Sequence, residues 1–133
     1  VKRDPNQIER DFVVCLLLHL RGQGLNSVTE ATMQRAMRAL LESDAADVTR
    51  LFGIAPVADP LFGVYDGVTC GLSEAVLCGL LSVCPTKDEF GVDVASADRL
   101  MRRLLSLMPV ELDYVRSLFE KFHAHYVRLE KGT

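Results

Sequence analysis

Two histidines, His123 and His125, stand two residues apart in a stretch of helical spacing, and His19 follows Cys15 by four. Imidazoles are the commonest metal ligands and proton carriers in proteins. Metal-binding pairs on a helix sit at i and i+4, where both rings leave one face. At i and i+2 the rings of His123 and His125 diverge. Cys15 and His19 do share a face, but the residues around them are apolar, so the expected arrangement is a packed thiol beside a partly buried imidazole. The four cysteines, Cys15, Cys70, Cys78 and Cys84, all lie in apolar helical text. They are expected to be reduced core residues of an intracellular protein rather than a disulfide frame. No glycine-rich phosphate loop follows a strand, and no Ser/His/Asp set stands out. The basic run Arg99, Arg102 and Arg103 is expected to form a solvated helix face. The expectation is a protein that is not an enzyme and holds neither metal nor cofactor.

Elements must position these side chains. A chain of 133 residues is expected to form one domain, residues 1–133, large enough for a single core. A net charge of −3 argues against a dedicated nucleic-acid binder. An apolar fraction of 49% is high, as one enclosed helix would require. Residues 13–18 are apolar, but charges precede them and no small-residue cleavage site follows, so no signal peptide is expected. The chain closes on polar residues 128–133, so no C-terminal transmembrane anchor is expected either.

Helix signals recur along the chain. Asp4-Pro5 offers an N-cap followed by proline at the first helical position. That helix continues through Ile8, Phe12, Cys15, Leu16 and His19 and stops near Gly22. Ser27-Val28-Thr29-Glu30 has the form of a capping box, predicting a second helix with Met33, Met37 and Leu40 inward. Asp44 can cap a short third helix carrying Val48, Leu51 and Phe52, closed by Gly53 and Pro56. Asp59-Pro60 predicts a brief fourth helix through Leu61, Phe62 and Val64. Residues 72–84 hold only Ser73, Glu74 and Ser82 as plainly polar positions, so a fifth helix apolar nearly all round is expected. At about 13 residues it is too short for a membrane span, which needs roughly 20, and is expected at the centre of the fold. After a polar loop at 85–91, a sixth helix is predicted over 94–108, with Leu100, Leu104 and Leu107 inward. Pro109 opens a seventh with Leu112, Val115, Phe119, Phe122 and Tyr126. No segment alternates with the period of a strand. The expected class is all-α, about seven helices around one buried helix at about residues 69–84.

Asp66-Gly67-Val68-x-x-Gly71 followed by Ala75 resembles the first homology region of the Bcl-2 family. Phe12-Val13-Val14 through Leu20, with Gly22 and Gly24, resembles that family's first helix and its exit. Residues 33–52 are similar to the segment holding the family's third homology motif, with Met37, Leu40 and Glu42 in its leucine, apolar and acidic places. The short connection between the first two helices resembles compact viral pro-survival members. The resemblance implies a Bcl-2-like bundle and an apoptosis regulator that sequesters the helical death motif of pro-apoptotic relatives of Bim, Bax or Bak type. It further implies a cytoplasmic location, peripheral at mitochondria through such partners, and leaves a homodimer open. Matching positions place a hydrophobic groove on Val48, Leu51, Phe52, Leu61, Val64, Val68, Gly71, Leu72 and Ala75, with Gly71 making room for the ligand backbone. Val48, Phe52 and Leu72 are the residues expected to face the ligand, whereas Leu61 and Val68 are compatible with a core role. Cys70 stands at the family's tryptophan, Thr69 at its asparagine and Leu72 at its groove arginine. Arg50 is the candidate cation for a ligand aspartate.

A metal-free EF-hand-like interaction module is the alternative. Val28–Met33 and Leu72–Leu77 each resemble the second half of such a unit, where an apolar loop residue leads into the outgoing helix. Calcium is not expected to bind, because Arg21, Gln23 and Leu25 stand where oxygen ligands should be.

Overall fold

The longest uninterrupted apolar run in the chain is residues 12–18, and it lies inside the first helix, α1 (Pro5–Gly22). A helix carrying apolar residues on every face needs neighbours on every side. In the computed structural model, which describes residues 5–83, 89–92, 97–106, 108 and 110–131, α1 has them. Phe12, Val13, Cys15, Leu16 and Leu20 are fully enclosed. The other helices are α2 (Glu30–Phe52), α3 (Asp66–Leu77), α4 (Ala97–Ser106) and α5 (Leu112–Lys131), and α1 touches all four. Side chains of residues 5, 6, 92 and 97–101 lie outside the described residues. So do Asp4, Cys84, Leu107 and Pro109, together with the sequence expectations attached to them and to Arg99 and Leu100.

The buried central helix is therefore α1, not residues 69–84. The expected central helix stops at Leu77, which is 87% exposed, because Gly79 takes φ +79° and turns the chain. Residues 81–83 then leave the helix altogether as strand β2 (Leu81–Val83). With β1 (Ser27–Val28) and β3 (Phe90–Val92) it forms an antiparallel sheet of order β1-β3-β2. Val28 pairs with Phe90, and Leu81 pairs with Val92. Strands this short show no alternation in sequence, and the pairing that makes them is decided at long range. The structure is mostly helical all the same.

Five helices are described rather than seven. The expected second and third helices are one element, α2, bent at Asp44 (φ −135°, ψ 40°), so the residue expected as a cap marks a kink instead. Thr29, not Ser27, caps α2: its side chain accepts from the Thr32 N–H at 3.3 Å, while the Ser27 hydroxyl donates to Glu89 across the sheet at 3.1 Å. Asp59-Pro60 opens a single turn and no helix. The Asp59 carboxylate accepts from the N–H groups of Leu61 and Phe62, and the Gly63 N–H returns to the Asp59 carbonyl. Gly63 then takes φ +68°, which a continuing helix would not allow.

Two contacts hold the fold's centre. α5 lies along α2 and buries Val115, Leu118, Phe119, Phe122 and Tyr126. α3 lies along α1 through Gly67, Gly71 and Ala75, spaced four residues apart. A Cβ added at Gly71 would stand 2.6 Å from Cβ of Val13, and one added at Gly67 would run into the Glu9 side chain. Four residues separate both the glycines and their partners, so the two helices run in the same direction. Small residues at this spacing let helix backbones approach closely.

Candidate interaction surface

Most of the expected groove is core. Val48, Leu51, Phe52, Val68, Leu72 and Ala75 are fully buried, and the space expected above Gly71 is filled by Val13. The Phe52 ring meets the edge of Phe12 at 5.3 Å, and Phe12 lies 5.1 Å from Phe119. The physical reason is the identity of the central helix: α1 covers the flank of α3 and the end of α2 that a ligand helix would need. The expected exposures are inverted accordingly. Val48, Phe52 and Leu72 are enclosed and Leu61 is 79% exposed, with Val64 between the extremes. Arg50 is not waiting for a ligand. Its guanidinium lies 4.5 Å over the Tyr114 ring and 3.5 Å from Glu111.

The chain instead presents an apolar surface one step away, between α2 and α3. Gly53 ends α2 at φ +84°, its N–H donating to the Thr49 carbonyl. Pro56 and Pro60 then keep residues 53–63 from forming a helix whose single face could be buried. Ile54, Val57 at 81%, Leu61 and Phe62 at 74% all stand in solvent. The segment is nevertheless tied down. Besides the Asp59 turn, the Asp59 N–H donates to the Val64 carbonyl at 2.7 Å. The buried amide of Gln34 brackets Tyr65, accepting from its N–H at 2.8 Å and donating to its carbonyl at 3.2 Å and to Thr69 at 3.1 Å. Ile54, Val57 and Phe62 were missed as surface residues by pattern reading. Their signal was two prolines among apolar residues bounded by two glycines.

A polar seam joins the α2 kink to α5. Lys121 donates to Asp44 at 2.8 Å and lies 3.7 Å from Asp47, and the Tyr114 hydroxyl donates to the Asp47 carboxylate at 2.8 Å. Hydrogen bonds from Lys121, and next from Ser43, hold the Asp44 carboxyl below its usual range. Ser43 Oγ also lies 3.2 Å from His125 Nε2, a serine–histidine pair separated by 82 positions and invisible to local spacing. Its polarity is wrong for nucleophilic catalysis. Arg128 donates to His125 Nδ1 at 3.0 Å, which leaves the ring proton on Nε2, pointing at the hydroxyl. Activation of serine needs a free Nε2 lone pair and a carboxylate on Nδ1.

The remaining titratable groups fall elsewhere. His123 faces His19, while His125 meets Ser43 and Arg128, so the two rings do diverge. Burial, and next His123, hold His19 below the usual imidazole range, and its Nε2 is enclosed without a hydrogen-bond partner. Cys15 is buried, and desolvation followed by Asp11 pushes its thiol up to about 12, far from a reactive thiolate. Cys70 and Cys78 are exposed rather than core: Cys70 lies off the Gly67–Gly71–Ala75 stripe, and Cys78 is the C-cap beyond the last residue of α3, where the chain turns at Gly79. Arg102 and Arg103 are solvated as expected. Among the described residues no helix is long and apolar enough to cross a membrane. Comparison with protein-family models, with curated proteins and with solved structures returns no match.

Proposed function

We propose that this chain is a protein-interaction module, not an enzyme, and that residues 53–63 are where it takes a partner's amphipathic helix. One observation carries the reading: four large apolar side chains, Ile54, Val57, Leu61 and Phe62, stand exposed on a segment whose backbone is fixed at both ends. Large apolar side chains held exposed on a tethered loop are a common mark of a binding site. Helix-in-surface recognition uses anchors at i, i+3 or i+4 and i+7 on the partner. The specific role supplied by the sequence resemblance is that of a pro-survival apoptosis regulator, capturing the death-motif helix of a pro-apoptotic partner in the cytoplasm or at the mitochondrial surface. With α1 covering the expected groove floor, such a helix would have to use the 53–63 segment, without an arginine partner for its aspartate. Calorimetric titration with a panel of pro-apoptotic helical peptides tests this. Saturable binding that is lost in a Leu61→Ser, Phe62→Ser double variant supports it, and no heat from any peptide rejects the apoptotic role.

The EF-hand-like scaffold is favoured by a different observation. β1 leads into α2 as the loop strand of such a unit leads into its outgoing helix, and it pairs antiparallel with β3. The second unit is not at Leu72–Leu77, which lies within α3; the strand that pairs is Phe90–Val92. A calcium-independent melting temperature is the expected outcome for a metal-free scaffold, and a rise of several degrees on adding calcium would contradict it.

A further inference from the structure

Glu9 is the least expected residue in the core. It is 8% exposed, on α1, in a family of side chains almost never buried without a partner. Its Oε1 is enclosed and accepts no hydrogen bond. It lies against Gly67 in the first turn of α3, filling the volume that any other residue there would need. That end of α3 has no side-chain cap of its own, since its N-cap is Tyr65. Asp66, beside Gly67, brings a second carboxylate close.

We propose that Glu9 is a proton-operated latch between α1 and α3. Protonated, its carboxyl packs as a neutral group on Gly67 and holds the first turn of α3 in place. Ionised, it becomes an unpaired charge in the core beside Asp66, and the turn is released. The chemistry of the site requires this choice: a carboxylate that accepts no bond at a buried oxygen is costly, while the neutral acid is tolerated.

Among the described residues, the charge acting on Glu9 is of its own sign. On α3 the facing group is Asp66, of the same sign; Glu74, whose Oε2 is also buried without a partner, is two turns further along. On α1 the neighbours in sequence are Arg10, which donates to Gln7, and Asp11, which accepts from Gln7. On α5 the groups facing α1 are Arg116, Glu120 and His123, and they surround His19, about 15 Å along the helix from Glu9. The described basic side chains of α4, Arg102 and Arg103, are exposed. Desolvation first, and Asp66 second, push the Glu9 carboxyl up from 4.5 to about 7.

The direction of the pH effect follows. Between those two values the closed state keeps a proton that the released state gives up, so raising the pH drives release. The latch is in full force below 4.5 and spent by about pH 7. Its opening constant grows at most about tenfold per pH unit in that window.

The experiment is a carbon-detected NMR titration of the Glu9 carboxyl in the whole chain, with amide exchange of the α3 first turn over the same pH range. The expected midpoint is near 7, with protection of that turn, corrected for intrinsic exchange, falling as the pH rises. In Glu9→Gln the turn should stay protected throughout. In Asp66→Asn the Glu9 midpoint should move down. A Glu9 midpoint in the ordinary glutamate range, or an exchange profile unchanged by Glu9→Gln, overturns the proposal. If Glu9→Gln does not fold, the Asp66→Asn shift decides alone, and its absence is likewise fatal.

Discussion

The α1–α3 contact and the 53–63 segment are made from the same kinds of residue and do opposite things. At the contact, Gly67 and Gly71 are helical, and each gives up a side chain so that Glu9 and Val13 can take its place. In the segment, Gly53 and Gly63 are at positive φ with open space where a Cβ would be, and they reverse the chain instead. The apolar residues divide in the same way. Val68, Leu72 and Ala75 recur at helical spacing and are buried, whereas Val57, Leu61 and Phe62 are larger on average and stay outside. Apolar content alone does not decide burial. A regular element can gather its apolar side chains on one face, and a segment broken by Pro56 and Pro60 cannot.

The contrast can be broken most severely at Gly71. Gly71→Glu would drive a charged chain into Val13, and Leu72→Arg would bury an unpaired guanidinium next to it. Each is expected to cost on the order of 4 kcal/mol or more, or to abolish folding. Urea denaturation followed by circular dichroism checks this; a midpoint unchanged from the parent would mean that α3 does not sit on α1 at that depth. Leu80→Ala comes next. Leu80 is buried just beyond the end of α3, and its removal should cost on the order of 2–5 kcal/mol through lost contacts and a cavity. A loss below about 0.5 kcal/mol would show that the turn at Gly79 exposes it.

Gln34→Leu sharpens the comparison, because Gln34 is the side chain that ties the end of the exposed segment to the core. Leaving the Tyr65 N–H without its acceptor, while the carbonyl keeps the Val68 and Thr69 N–H groups, should cost about 1–3 kcal/mol. Faster amide exchange at Tyr65, with α5 unaffected, is the signature expected of a local tether. Smallest of all, the Leu61→Ser, Phe62→Ser double variant should change stability by no more than about 0.5 kcal/mol per site, since neither side chain is packed. A drop of several kcal/mol would place those residues in a core and remove the basis for calling the segment a binding surface.

Much of the helical layout was legible locally. Pro5 and Gly22 bound α1, the spacing of Val115, Phe119, Phe122 and Tyr126 marks the inner face of α5, and Asp44 announces a break. The candidate surface was legible only in part. Leu61 was read as groove wall, but as one that could equally be core, whereas Val48, Phe52 and Leu72 were expected to face a ligand. Periodicity reports that a residue lies on an apolar face; it does not say whether that face meets another helix of the same chain or a partner. Gln34 and Glu9 gave no signal at all, because a polar residue in a helix looks the same whether its side chain is solvated or enclosed.

By itself the sequence determined that this protein is mostly helical and where most of its helices start and stop, although its Asp59-Pro60 start signal announces a helix that the chain does not form. Those properties depend on backbone dihedrals and on neighbours a few residues away. Only the tertiary structure decided which apolar helix stands at the centre, that Val13 fills the space over Gly71, and that Ser27–Val28 and Leu81–Val83 find a common partner strand in Phe90–Val92. The reason is physical: burial is a property of pairs of elements, and α1 and the helix expected at 69–84 were both apolar enough to be the core until Gly79 ended one of them.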